Sequence, residues 1–146
     1  MKLSMNWQNK MTFVSTDGNN SVTMDTQAPI GDGRALSPKQ LCLASICGCT
    51  GMDVVGLLKK YKQDVKMFRV EADAPVTEGY PAVFAFVMLD FFLDGNIESA
   101  KAIEAVHLSQ SKYCGVSAMI AKACPIRYRI HVNGVKVHEG ESAFPA

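Results

Sequence analysis

One stretch limits the folds open to this chain more than any other. From Leu41 to Leu58 the sequence is almost continuously apolar, with three glycines (Gly48, Gly51, Gly56) and one charge, Asp53, inside it. Just upstream, Ser37-Pro38-Lys39-Gln40 carries the marks of a helix start. Ser37 can cap, Pro38 suits the first turn and Gln40 completes a capping box. The spacing predicts a helix from Pro38 to about Lys62, roughly 37 Å long at 1.5 Å per residue. Its first four turns are apolar nearly all round, and such a helix has to be enclosed on every side. A membrane span is the poorer reading. Asp53 would cost roughly 2.5–3.5 kcal/mol at that depth, and neither an aromatic belt nor a second span accompanies it. The expectation is a buried helix of a soluble protein. A lone domain of 146 residues has little to wrap it with, so a partner subunit is expected to cover part of it.

The flanking segments alternate as strands do. Met5, Trp7, Met11 and Phe13 fall on odd positions, Asp17-Gly18-Asn19-Asn20 makes a turn, and Val22 and Met24 resume the period, which reads as a hairpin. Residues 27–36 carry Pro29, Gly31 and Gly33 and form a loop. After the helix, Val65–Ala74 and Val83–Leu93 read as strands around a turn at Glu78-Gly79-Tyr80-Pro81. Asn96 can cap a helix to about Leu108, and Ser111 a shorter one over Lys112–Lys122. Ile126, Tyr128, Ile130 and Val132 alternate up to Asn133-Gly134, a two-residue hairpin turn. Val135–His138 returns, and the tail from Glu139 is expected to be loose. This order of strands, long helix, strands, helices and strands is α+β, in one domain over residues 1–146.

Charge and leader bound the partners. The formal net charge is +1 and the basic residues are scattered, so nucleic acid and anionic membrane are not expected partners. Met1 to Gln8 lacks the apolar core of a secretion signal. The chain is therefore expected in the cytoplasm, where the five cysteines meet a reducing environment and structural disulfides are rare.

The thiols are the place to look for chemistry. Cys42, Cys47 and Cys49 lie on the long helix, where residues two apart point in nearly opposite directions. Cys47 and Cys49 therefore cannot share a tetrahedral ion, and no metal or other cofactor is expected. Any of the five can simply fill a core, and for Cys124, at the start of a strand, that reading wins. Cys49 differs in its surroundings: Gly48 and Gly51 open its flanks, and Asp53 sits one turn on, wanting a buried partner such as an arginine, or else making a helix-end salt bridge or facing solvent. Arg34 and Arg127 are the available cations. With Ser111 as cap, Cys114 becomes the third residue of its helix, where free N–H groups and Lys112 favour a thiolate. Cys114 is thus expected to ionise more easily than Cys49.

The motifs together resemble the OsmC/Ohr family. Ser37-Pro38-Lys39-Gln40-Leu41 is followed by Cys49 eleven residues after the proline and by Cys114 sixty-five further on. Cys49-Thr50-Gly51-Met52-Asp53-Val54-Val55 and Lys112-Tyr113-Cys114-Gly115-Val116-Ser117 are similar to the two cysteine motifs of the OsmC-like branch. The resemblance implies an intertwined homodimer, with two long central helices wrapped by antiparallel sheets. It also implies a thiol-dependent peroxidase acting on organic hydroperoxides. Cys49 would be the catalytic nucleophile and Cys114 the resolving thiol, regenerated by a dithiol such as a lipoyl group. Asp53, Arg34 and Lys39 would be supporting residues. Two positions depart from the best-known members. Lys39 stands where they carry a glutamate, and the hairpin loop Thr16–Ser21 lacks the arginine that this glutamate orients. A cysteine redox switch or a binding protein for a small apolar ligand therefore remain as alternatives.

Overall fold

The computed structural model describes residues 1–145 and divides them into two compact units, Met1–Leu43 and the remainder from Ala44. In the first, β1 (Ser4–Asn9), β2 (Thr12–Thr16) and β3 (Ser21–Met24) form an antiparallel sheet in the order β1-β2-β3. The sequence reading took Met5–Phe13 as one strand. A turn at Lys10-Met11 instead splits it, with Lys10 at φ 42° and its carbonyl accepting from Trp7 Nε1 at 2.9 Å. The reversal pairs Trp7 with Phe13 and Met5 with Ser15. Odd residues face odd residues, so the period of two runs through the turn and conceals it.

After β3 the loop is gathered on Asp25, which is 1% exposed. Its carboxylate accepts the backbone N–H of Thr26 at 2.8 Å and of Asp32 and Arg34 at 3.2 Å each. Burial pushes its pKa up, but these bonds and the Arg34 charge outweigh that and hold it below the ordinary value. Gly31 is packed so tightly here that a Cβ would lie 2.0 Å from the Thr26 carbonyl oxygen. The helix start forms as the sequence predicts. Ser37 N–H donates to Gln40 Oε1 at 2.9 Å, and Gln40 N–H donates back to Ser37 Oγ at 3.4 Å. From there α1 runs over Pro38–Lys60, two residues short of the expectation, and Lys62 at φ 57° turns the chain away.

In the second unit the rest of α1 is followed by β4 (Asp64–Asp73), β5 (Val87–Asn96), α2 (Ser99–Leu108), α3 (Gly115–Ile120), β6 (Ile126–Val132) and β7 (Val135–Glu141). The sheet order is β4-β5-β6-β7, with β5 and β6 parallel and the outer pairs antiparallel. A parallel pair needs a crossover, and α2 with α3 supplies it. Val87, Leu89, Phe91 and Leu93 from β5, with Ile126, Tyr128, Ile130 and Val132 from β6, are all buried. Each contributes roughly 1.5–3 kcal/mol of transfer free energy. Ile46, Val54 and Leu58 of α1 and Ala102, Ala105 and Val106 of α2 complete this core.

The α+β class holds, with local corrections. Val83–Phe86 is not strand but reaches back through a single bridge from Phe84 to Val76. β5 continues through Asp94-Gly95-Asn96, because Gly95 at φ 141° fits opposite a bulge in β4. A Cβ there would sit 2.1 Å from the Asp64 carbonyl. Asn96 is therefore strand, and Glu98 is the residue that precedes α2. β7 extends to Glu141 where a loose tail was expected. α1 is only partly covered by its own chain. Within one chain it buries only the stripe Ile46, Thr50, Val54 and Leu58, and Met52 is 79% exposed. By length and hydropathy α1 alone among the described helices could cross a membrane. The enclosure its composition calls for is not provided by its own chain.

Candidate functional site

Cys49 and Asp53 lie one turn apart on α1 and so share a face. Cys114 comes to the same place from another element. α2 does not stop cleanly: it runs into one π-helical turn, Ser109–Tyr113, closed by Cys114 N–H donating to the Ser109 carbonyl at 3.0 Å. Such turns often mark functional sites. Cys114 is then extended, at φ −71° and ψ 97°, and α3 starts at the next residue. The Sγ atoms of Cys49 and Cys114 and a carboxylate oxygen of Asp53 all lie within 4.8 Å of one another. Cys114 is fully buried, whereas Cys49 and Asp53 are half-buried.

A buried hydrogen-bond network connects these groups, and its proton directions can be worked out. Ser109 Oγ donates to Asp53 Oδ2 at 2.9 Å, because an ionised carboxylate only accepts. That uses the one Ser109 proton, so in the 2.8 Å contact between Thr50 and Ser109 the donor is Thr50. Thr50 Oγ1 in turn accepts from Gln110 Nε2 at 2.8 Å. The same amide nitrogen donates to Ser117 Oγ at 3.2 Å, and Ser117 Oγ donates to Cys114 Sγ at 3.0 Å. Ser117 N–H adds a second bond to that sulfur at 3.3 Å. Gln110 Oε1 accepts from Ser142 Oγ at 2.7 Å. Two hydroxyl chains thus diverge from one buried amide. One points its protons at the Asp53 carboxylate, the other at the Cys114 sulfur.

The structure departs from the sequence reading at several of these residues. Ser111 does not cap a helix; its hydroxyl donates to the His107 carbonyl at 2.7 Å. Cys114 is itself the capping residue of α3. It is not the readily ionised thiol expected. Burial pushes its pKa up to about 11, the Ser117 hydrogen bonds oppose the shift, and the neighbouring Cys49 adds to it. The Lys112 ammonium lies over the Tyr113 ring at 5.4 Å. The partner of Asp53 is Ser109, not an arginine. Arg127 pairs with Glu141 at 3.4 Å. Arg34 and Lys39 belong to the first unit, where Arg34 faces Asp32 at 3.6 Å and Lys39 is exposed in the first turn of α1. Cys124 is buried, as the core reading has it. The metal reading was set aside for Cys47 and Cys49. The set that converges is a different one, Cys49 and Asp53 with Cys114.

Thr50, Ser109, Gln110, Ser117 and Ser142 were not singled out from the sequence. A signal was present at Thr50, one of two hydroxyls (with Ser45) in an apolar run, and at Ser109-Gln110-Ser111, a polar run between helices. Cys47, Gly48, Gly51, Met52, Val55 and Gly56 of α1, with Phe68 and Val70 of β4, line an open, mostly apolar groove of about 610 Å³ to which Lys59 adds the one charged side chain. Gly48 and Gly56 have open space where a Cβ would stand, and burial raises the pKa of the Cys47 thiol.

The family model described as OsmC-like protein matches residues 31–129. Protein YhfA of Escherichia coli K12 is 32% identical over 134 residues, covering 90% of this chain and 98% of that protein. A hypothetical protein from Aquifex aeolicus VF5 superposes with a TM-score of 0.81 at 27% identity, over 90% of this chain and 95% of its own. The organic hydroperoxide resistance protein OhrB of Bacillus subtilis shares the fold, with a TM-score of 0.62 at 15% identity, over 90% and 96% of the two chains.

Proposed function

This chain belongs to the OsmC-like protein family, and from that premise we propose that it is a thiol-dependent peroxidase reducing organic hydroperoxides through Cys49 and Cys114. The observation that carries the reading is the convergence of both sulfurs and the Asp53 carboxylate within 4.8 Å. Cys49, half-buried and on the rigid α1, is the thiol a substrate can reach. Its thiolate attacks the O–O bond, leaving a sulfenic acid on Cys49 and releasing the alcohol, which takes up a proton. The Cys114 thiolate then attacks the Cys49 sulfur and displaces the hydroxyl, which leaves as water once protonated. The disulfide requires an S–S length of about 2.05 Å, so the two sulfurs, within 4.8 Å of each other in the reduced chain, have to close on one another in this step. An external dithiol, a lipoyl group for example, returns both thiols by exchange.

The functional protein in this reading is a cytoplasmic homodimer in which the chain acts as one domain. Support comes from the unpartnered apolar face of α1 and the groove along Cys47, Gly48, Met52 and Gly56. A second reading, a redox switch using the same pair without rapid turnover, is favoured by one observation. Among the described residues of the second unit, no ion pair brings a cation to Asp53.

Turnover of cumene hydroperoxide with dihydrolipoamide separates the two. A peroxidase consumes peroxide continuously in the wild type and not in Cys49→Ser, while Cys114→Ser accumulates Cys49 sulfenic acid. A wild type with reduced thiols that forms the disulfide once and turns over no further would replace the peroxidase with the switch.

A further inference from the structure

We infer that Cys49, Asp53 and Cys114 form a binding site for a thiophilic divalent cation of the Zn²⁺ class, with a fourth position left to solvent. The donor set suits such an ion: two sulfurs and a carboxylate oxygen, drawn from α1 and from the junction of the π-turn with α3. The spacing suits it too. With Zn–S bonds of about 2.3 Å, tetrahedral geometry puts two sulfurs about 3.8 Å apart. All three donor atoms already lie within 4.8 Å of one another, so the side chains need shift by no more than about 1 Å relative to one another to close on the ion.

The surroundings point the same way. Ligating groups in metal sites are oriented by hydrogen bonds from the shell behind them. Here Ser109 Oγ donates to Asp53 Oδ2 at 2.9 Å, and the hydroxyl and N–H of Ser117 donate to Cys114 Sγ at 3.0 and 3.3 Å. Each of these bonds leaves other lone pairs of the ligand available. Both hydroxyl chains deliver protons toward acceptors, an arrangement that stabilises negative charge on the sulfur and the carboxylate. With both thiols ionised the three groups carry three negative charges, and no ion pair with Asp53 offsets them among the described residues. Binding exchanges the two thiol protons, which pass to solvent, for the metal. No electron is transferred. Cys49 and Asp53 are half-buried and provide the entry path. The consequence is a reversible block: a loaded ion occupies the sulfur lone pairs that would otherwise react.

The test needs no peroxide, so its outcome is independent of the proposed activity. The reduced full-length protein is titrated with Co²⁺ in the absence of oxygen and followed by absorption, then back-titrated with Zn²⁺. The expected result is one Co²⁺ per chain, with thiolate-to-cobalt charge-transfer bands and the visible bands of a four-coordinate ion, all displaced by one Zn²⁺. Cys49→Ser and Cys114→Ser should each halve the charge-transfer intensity. Asp53→Asn should keep that intensity and weaken binding by more than the roughly 10- to 100-fold seen when only a hydrogen-bonding partner behind a ligand is lost. Zn²⁺ should also protect Cys49 from iodoacetamide, and a chelator should restore labelling. An absence of charge-transfer absorption in the folded, reduced wild type overturns the inference. So does full intensity retained in Cys49→Ser, a half-buried position where the substitution is easily tolerated, because the metal would then be held by other thiols.

Discussion

Replacing Gln110 with methionine tests whether the buried network holds the site together. Gln110 is 1% exposed and makes three side-chain bonds, to Thr50 at 2.8 Å, Ser117 at 3.2 Å and Ser142 at 2.7 Å. At about 1 kcal/mol net per hydrogen bond, the gross loss is about 3 kcal/mol. The loss is moderated because the stranded hydroxyls keep other partners. Thr50 still donates to Ser109 and Ser117 still donates to Cys114, while Ser142 is only part-buried and can turn to water. Methionine nearly conserves the volume, so no cavity term is added. The expected destabilisation is about 2 kcal/mol, which for a domain of this size lowers Tm by roughly 4–8 °C. Urea denaturation and thermal unfolding of the two proteins measure it. A function-specific readout accompanies the stability loss. With Ser117 no longer held by the amide, the Cys49–Cys114 disulfide should form more slowly after a single equivalent of peroxide. A Gln110→Met protein as stable as the wild type, with unchanged disulfide kinetics, would refute the view that this amide organises the site.

Two further outcomes follow from the burial pattern. Cys114 has a pKa of about 11 in the folded chain against a reference of 9.0, so the folded state holds its proton more tightly than the unfolded one. Its contribution to stability is full below about pH 9 and is lost as pH rises through about 11; the rate of disulfide closure, which needs the thiolate, should climb about tenfold per pH unit over pH 6–9, and a flat profile in stopped-flow would contradict the resolving role. Met52→Glu places a charge on the exposed face of α1, and light scattering should then read one chain of 15.9 kDa where the wild type reads twice that; a monomeric wild type would remove the dimer from the proposal.

What the sequence makes legible, and what it hides, has a physical pattern. The start of α1 is readable because a capping box is local: Ser37 and Gln40 meet within one turn. The alternation of β6 is readable because one face of the strand is core, which enforces the period of two over Ile126–Val132. The turn at Lys10 is hidden by a register that preserves parity. The π-turn is hidden because an i to i−5 bond has no residue preference strong enough to announce it, and with that turn goes the placement of Cys114. The network around Gln110 is invisible for a similar reason. Its members come from residues 50, 109, 110, 117 and 142, and only the fold gives five scattered polar residues a common interior.

The electrostatics of the site argue for unequal roles within the thiol pair. A peroxidatic thiol has to be ionised and reachable; Cys114 is fully buried, with its pKa pushed up to about 11, and meets neither condition. Its two hydrogen bonds from Ser117 fix the sulfur in place, which suits a group that waits for a neighbour to be oxidised. In the proposed peroxidase the half-buried Cys49 is therefore the thiol assigned to meet substrate. Beside it stands the Asp53 carboxylate, and among the described residues no ion pair brings positive charge to that carboxylate. A hydroperoxide brings none; a divalent cation brings two units, and a second chain packed on the exposed face of α1 could bring a lysine or arginine. Under the two proposals the same pair of sulfurs has two fates, metal-bound and silent or metal-free and oxidisable, and occupancy of the site by a cation is what separates them.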